Sequence, residues 1–219
     1  MNQVTLYVGN KNYSSWSLRA WLTLRFGNIE FTERLVRLDQ PGYGRGEIAE
    51  VRSITPTGQV PVLTRDSFAI WDTLAIAEWA AEQRPALWPA DADDRARARS
   101  LCAEMHSGFV GVRRDLSMNI KRRCQARNLP QDTLAGIKRM DDIFASARGP
   151  HLFGPRGIVD AFFTPVATRM RTYGIALSPQ ATAYRDVLLA DDNFDSWEAE
   201  CIPDSWDASG YSVIDGLYR

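Results

Sequence analysis

The sequence is poor in the residues that metal centres and disulfide frameworks require. Its three cysteines, Cys102, Cys124 and Cys201, lie far apart, and its two histidines, His106 and His151, are isolated. No CxxC pair or Cys/His cluster has zinc-site spacing, so no metal is expected. An odd, scattered set of thiols also argues against a disulfide framework, and the reducing cytoplasm is the expected compartment. No apolar run reaches membrane-spanning length. The opening stretch, residues 1–10, reads as a strand and not as a basic, apolar signal segment. An excess of one charge is missing too. The formal net charge is -1 at pH 7, which offers no global field to nucleic acid or an anionic membrane, and neither is expected as a partner. The basic group Lys121, Arg122, Arg123 and Arg127 is read as a solvated helix face. Internal repeats and low-complexity tracts are absent.

What remains is an ordinary globular balance, 45% hydrophobic and 24% charged, in a chain long enough to bury a sizeable core. Val4 to Val8 is a run of β-formers ended by Gly9-Asn10. Asn12-Tyr13-Ser14-Ser15 then supplies helix-capping residues. Leu18, Trp21, Leu22 and Phe26 recur at helical spacing until Gly27-Asn28. Residues 29–37 read as a second strand, which makes a βαβ unit with parallel strands. Residues 39–59 are rich in Gly, Pro and charge, with one short helix near 47–51. Val60-Pro61-Val62-Leu63 and Phe68 to Trp71 read as paired strands, and Asp72-Thr73 starts a helix running to about Glu82.

Pro85-Ala86-Leu87-Trp88-Pro89 changes the texture. The expected division is residues 1–84, a linker at 85–92, and an all-helical region at 93–219. In that region Ala98, Leu101, Cys102, Met105, Phe109, Val112 and Leu116 keep helical spacing over many turns. A second helix is expected after Pro130. A third carries the stripe Val159, Phe162, Phe163, Val166, Ala167 and Met170, with Pro165 inside it removing one hydrogen bond. Shorter helices fit 180–190 and 193–201. The expected fold is thus an α/β domain followed by an all-α domain.

Three segments carry a more specific signal: Asn12-Tyr13-Ser14-Ser15-Trp16-Ser17-Leu18-Arg19, Pro56-Thr57-Gly58-Gln59-Val60-Pro61-Val62-Leu63, and Trp71-Asp72-Thr73-Leu74-Ala75-Ile76. In order and spacing they resemble the thioredoxin-like half of cytosolic glutathione transferases of bacterial, serine type. The zeta and tau classes are the nearest, because Ser14 stands five residues before Arg19. The resemblance covers residues 4–83. Beyond them it rests on Gly157-Ile158-Val159-Asp160-Ala161 and on helical character. It implies a glutathione transferase fold, glutathione as co-substrate, a homodimer and a role in detoxification.

The chemistry follows residue by residue. The glutathione thiolate is the nucleophile, yet a free thiol has a pKa of roughly 8.5. Lowering it by about two units needs roughly 2.7 kcal/mol of selective thiolate stabilisation. A hydroxyl at a helix N-terminus can donate to the sulfur, and the first-turn N–H groups add partial positive charge. Ser14 holds that place, with Ser15 as the alternate. As a plain N-cap, Ser14 would be unremarkable; the other two segments give it the catalytic reading. Trp16 fills the position of a zeta cysteine or tau phenylalanine. No cysteine is left there for the mixed disulfides of the omega and beta classes.

In the family the proline at Pro61 follows a cis peptide bond. It aims the N–H and C=O of Val60 at the cysteinyl backbone of glutathione, as in addition of a short strand, and Gln59 adds side-chain contacts. Thr73 at its helix N-terminus would hold the γ-glutamyl carboxylate, and Asp72 the glutamyl ammonium. For the glycyl carboxylate Arg45 and Arg52 are equal candidates. Asp160 matches a family aspartate that caps the core helix. Gly157 stands where the family has Ser or Thr, so the capping box is incomplete. Met105, Phe109, Met118 and Tyr173 are candidates to line the pocket for a small hydrophobic electrophile. Zeta isomerases have an arginine about twelve residues after the capping aspartate; here that position is Thr172, beside Arg171. The resemblance implies an enzyme, a glutathione S-transferase whose thiolate attacks a hydrophobic electrophile; the alternatives are a glutathione-dependent isomerase (maleylacetoacetate isomerase-like) or peroxidase, and a non-catalytic interaction module on the same fold.

Overall fold

The computed structural model describes residues 3–38, 40–42 and 45–202. The last part of the region expected at 93–219 therefore lies outside the described residues. Strand β1 (Val4–Gly9) is followed by helix α1 (Ser15–Phe26) and strand β2 (Thr32–Val36). After the short helix α2 (Ala49–Arg52) come β3 (Val62–Arg65), β4 (Phe68–Trp71) and helix α3 (Thr73–Gln83). The sheet order is β2-β1-β3-β4. β1 runs parallel to β2 and antiparallel to β3, and β3 runs antiparallel to β4. This is the βαβ–ββα arrangement of a thioredoxin-like layer. A 3-10 turn (Pro85–Leu87) then leads into α4 (Ala92–Ser107), α5 (Val110–Asp115), α6 (Gln131–Ala145), α7 (Ile158–Thr172), α8 (Pro179–Leu189) and α9 (Asp192–Ala199). Among the described residues no helix is long and apolar enough to cross a membrane.

The alternation of β1 sends Leu6 and Val8 into the core, both fully buried. Leu18 and Leu22 of α1 meet them there. Each such side chain contributes about 1.5–3 kcal/mol by leaving water. The same core continues without a break into Phe162, Phe163 and Val166 of α7, because α1 packs directly against α7. A second, smaller cluster of Val36, Leu38, Ile48, Val51 and Val62 joins α2 to the sheet.

One expectation needs correction. The apolar spacing from Ala98 to Leu116 reads as a single long helix, but the chain breaks between α4 and α5. Gly108 ends α4, and Phe109 takes a left-handed conformation with φ 55°. This turn lets α5 pack on α6. Apolar periodicity cannot distinguish one long helix from two that abut with little change of face.

Asp160 is the anchor of α7. Its carboxylate accepts from the Gly157 N–H at 2.8 Å, the Leu152 N–H at 3.2 Å and the Tyr184 hydroxyl at 2.7 Å. The missing Ser or Thr at Gly157 has a steric cause: a Cβ there would sit 2.6 Å from the Leu87 carbonyl oxygen.

Candidate active site

A cavity of about 600 Å³ lies where the β1–α1 loop, the segment before β3, the start of α3 and the faces of α5 and α7 meet. Its floor is the serine loop. The Asn10 carbonyl accepts from the N–H groups of Tyr13 at 3.0 Å and Ser14 at 2.9 Å, closing a tight turn. The loop is fixed to later parts of the chain as well. Asn12 accepts at Oδ1 from the Lys121 N–H at 2.9 Å and donates from Nδ2 to Asn119 at 2.9 Å. Lys11 is buried between Glu33 and Glu200, each 2.8 Å away, and stands 4.9 Å from the Trp197 ring. The Trp197 indole N–H donates back to the Lys11 carbonyl at 3.0 Å. A loop held on so many sides presents its hydroxyls in a defined direction.

Ser14 caps α1, and Ser15 is its first residue. Both are nearly buried and both face the cavity. The Ser14 hydroxyl donates to Ser17 Oγ at 2.8 Å, and Ser17 Oγ also accepts from the Gly9 N–H at 2.9 Å. Ser15 Oγ accepts from Arg169 Nη2 at 3.3 Å. Each serine oxygen thus has a polar neighbour behind it. A turn of the Ser14 hydroxyl toward the cavity leaves the Ser14–Ser17 contact intact if Ser17 then donates.

The second wall comes from Gly58 to Pro61. Gly58 has φ +61°, and a Cβ there would collide with the Gly46 carbonyl oxygen, so only glycine fits this turn. The Val60–Pro61 peptide bond is cis. Gln59, Val60 and Pro61 all border the cavity. At the third wall Asp72 caps α3 with φ 74°, and its Oδ1 accepts from the Leu74 N–H at 2.8 Å. Thr73 follows as the first helical residue, beside the helix's free N–H groups.

The charge around this cavity is mostly positive. Arg113, Arg114 and Arg169 border it. Arg114 is tied to Asp115 and Asp132. Arg169 is buried, donating to the carbonyls of Leu116 and Pro165 at 2.9 Å each. Behind the wall Arg19 is fully buried, and the described residues offer none of its nitrogens a hydrogen-bond partner. Its guanidinium packs on Trp16 at 4.6 Å and Phe162 at 5.5 Å. Burial, then Arg169 and Arg113, pull the Arg19 pKa down to about 9. Arg113 lies 5.4 Å from the same Trp16 ring, and burial lowers its pKa too. His106 meets Trp16 edge-on at 5.0 Å, and its Nε2 lies 3.3 Å from Asp72 Oδ2.

The expected glutathione contacts Ser15, Trp16, Gln59, Val60, Pro61, Asp72 and Thr73 come together with Ser14 around the one cavity. The pocket candidates do not. Met118 borders the cavity, whereas Met105 and Tyr173 belong to the core and Phe109 packs against it at the α4–α5 break. Tyr173 spends its hydroxyl on the Ser117 carbonyl at 2.9 Å. Arg45 pairs with Glu47 on the surface, Arg52 donates to the Pro56 carbonyl, and neither reaches the cavity. Thr172 donates to the Asn119 carbonyl, and Arg171 pairs with Glu198. Sequence reasoning missed Ser17, His106, Arg113 and Arg169. Arg169 had a visible signal, since it falls on the buried stripe of α7 at three residues after Val166.

Residues 13–83 match the family model described as the glutathione S-transferase N-terminal domain. Maleylacetoacetate isomerase of Rattus norvegicus is 27% identical over 183 residues, covering 81% of this chain and 82% of that protein. A glutathione transferase homolog from Burkholderia GL BGR1, solved with bound glutathione, superposes with a TM-score of 0.69 at 23% identity, covering 92% of this chain and 98% of that one. Maleylacetoacetate isomerase from Anaeromyxobacter dehalogenans, solved with glutathione in its active site, gives 0.66 at 21% identity, covering 92% and 97%. Among the described residues no group of His, Cys, Asp or Glu could hold a metal ion.

Proposed function

We propose that the chain, whose residues 13–83 match a glutathione S-transferase N-terminal domain, is a glutathione transferase that activates glutathione as a thiolate at Ser14. The observation that carries this reading is the convergence of Ser14, Val60, Asp72 and Thr73 on one cavity of about 600 Å³. The γ-glutamyl carboxylate goes to Thr73 and the N-terminus of α3. The glutamyl ammonium goes to Asp72, and the cysteinyl backbone goes to Val60. The sulfur then lies over Ser14, whose hydroxyl donates to it, with Ser15 as the alternate donor. Arg169 behind Ser15 and the start of α1 favour the anionic sulfur. Serine is here a hydrogen-bond donor and not a nucleophile.

The thiolate attacks an electrophilic carbon, either displacing a leaving group or adding across a double bond. Met118 and Trp71 offer apolar surface to the electrophile, while Arg113 and Arg169 suit a carboxylate. That pair favours a second reading beside the transferase, a glutathione-dependent isomerase of the kind named in the curated relatives. There the thiolate adds to a cis double bond, the new single bond rotates, and expulsion of the thiolate leaves the trans isomer. The catalyst is recovered unchanged. The reading further takes residues 1–84 as the glutathione-binding domain, 85–92 as linker and 93–219 as the part that completes the electrophile pocket. It takes the enzyme as a cytoplasmic homodimer serving detoxification.

The test is an ultraviolet titration of protein-bound glutathione, following thiolate absorbance against pH. A bound-thiol pKa well below roughly 8.5, raised again in Ser14→Ala, is the expected result. Binding with an unshifted pKa overturns thiol activation and leaves a binding module. Turnover of maleylacetoacetate, set against turnover of a neutral aryl halide, separates isomerase from transferase.

A further inference from the structure

We infer that His106, on α4, is a positioning residue that holds Asp72 in place to receive the glutamyl ammonium of glutathione. The inference rests on the glutathione reading above. Asp72 has two carboxylate oxygens and needs one orientation. Its Oδ1 is fixed by the Leu74 N–H at 2.8 Å within its own helix. Its Oδ2 would otherwise swing freely, and His106 Nε2 stands 3.3 Å from it. The imidazole is itself clamped. Its ring meets Trp16 edge-on at 5.0 Å and 78°, and the backbone carbonyl of His106 accepts from Arg113 Nη1 at 3.1 Å, which holds the chain that carries it.

The charge state decides what such a contact does. A protonated imidazole would form a closed ion pair with Asp72 and compete with the incoming ammonium. A neutral imidazole that turns its Nε2–H onto the nearby oxygen fixes the carboxylate and leaves its charge available. The surroundings select the neutral form. His106 Nδ1 is buried with no partner among the described residues, so a proton there would have no acceptor. Burial holds the His106 pKa below its ordinary value against the pull of Asp72, and Arg19 and Arg113 oppose a further positive charge in the same direction. The neutral Nε2–H tautomer puts no proton on the unpartnered Nδ1 and no added charge beside the arginines. Because α4 follows the linker while Asp72 precedes it, the γ-glutamyl subsite is completed only when the helical part is docked.

The test compares glutathione with its deamino analogue, glutaryl-cysteinyl-glycine, by calorimetric titration of three proteins. These are wild type, His106→Phe, which keeps the ring against Trp16 without a donor, and His106→Gln, whose side-chain amide N–H reaches the Nε2 position. Wild type prefers glutathione. His106→Phe loses about three- to tenfold of that preference, all of it in glutathione affinity, and His106→Gln restores it. Equal weakening of both ligands in His106→Phe, or no change in either, overturns the positioning role and leaves a packing residue. A wild type that binds both ligands equally overturns it as well, since Asp72 would then not read the ammonium. A wild type that binds neither defeats the glutathione reading itself.

Discussion

Replacing Ser17 by alanine separates two effects that meet at one oxygen. Ser17 Oγ accepts the Gly9 N–H at 2.9 Å and stands 2.8 Å from Ser14 Oγ. In the proposed role of Ser14 its proton turns to the sulfur, Ser17 donates to Ser14, and a chain would run from the Gly9 N–H through both hydroxyls to the thiolate. A hydrogen bond to a charged group contributes about 1.5–3 kcal/mol. A donor further back in such a chain strengthens it by roughly 10–30%. Loss of Ser17 therefore removes roughly 0.15–0.9 kcal/mol of thiolate stabilisation, and the bound-thiol pKa rises by about 0.1–0.7 unit. Ser14→Ala removes the whole bond and raises it by about one to two units. The second effect concerns the fold. In Ser17→Ala the Gly9 N–H is buried without its acceptor, costing about 1–3 kcal/mol, which for a chain of this size lowers the melting temperature by about 2–12 °C. Thiolate absorbance against pH and thermal unfolding by circular dichroism read the two effects. A bound-thiol pKa that falls in Ser17→Ala would refute the reasoning, because Ser17 would then be competing for the Ser14 proton instead of supporting it.

Arg113→Ala raises the KM for a carboxylate-bearing electrophile about tenfold or more, as for loss of a charge-assisted hydrogen bond, and leaves the KM of a neutral electrophile near the wild-type value in steady-state assays. Gly157→Ser completes the family's capping box on paper, yet it destabilises the protein by about 1–3 kcal/mol, since its Cβ meets the Leu87 carbonyl oxygen at 2.6 Å; chemical denaturation checks this. The pKa of His106 is lowered in the folded state by burial and by Arg19 and Arg113, against Asp72. A lowered histidine pKa means that the unfolded chain binds the extra proton, so stability is lost as pH falls below about 6.5 toward the folded value. The difference in unfolding free energy between wild type and His106→Gln should therefore shrink over that window and stay constant above it.

The cavity wall built from residues 13–16, 58–61 and 71–73 was legible because its anchors are local. A serine at a helix start, a Gly58 turn before Val60-Pro61 and an aspartate cap at Asp72 each declare themselves within a few residues. The fold was legible for the same reason, since strand and helix periods are properties of short windows. The rest of the cavity was not. Met105, Phe109 and Tyr173 are pocket candidates by residue type alone, but side chains of that type are what a helical core consumes, and of the four candidates only Met118 reaches the cavity. The position about twelve residues after Asp160, where zeta isomerases have an arginine, is Thr172. The cavity instead receives Arg169, one turn earlier on α7. Its presence among Phe162 and Val166 on a buried stripe was the available clue, because an arginine there must find polar partners.

The cationic and aromatic groups around Trp16 form one connected trait. Arg19 and Arg113 approach from opposite sides of the linker in sequence, and both lie against the Trp16 ring, at 4.6 and 5.4 Å. Two guanidinium groups this close repel, and Arg19 has no carboxylate within hydrogen-bond reach among the described residues. An indole offers its negative π face to both, worth about 0.5–2 kcal/mol for each contact. A cysteine or a smaller ring at this position would supply less of that surface. The same indole receives His106 edge-on and so aims it at Asp72. Tryptophan at position 16 therefore does more than remove a thiol from the loop. It is the surface on which Arg19, Arg113 and His106 all pack, and through His106 it bears on Asp72 at the start of α3.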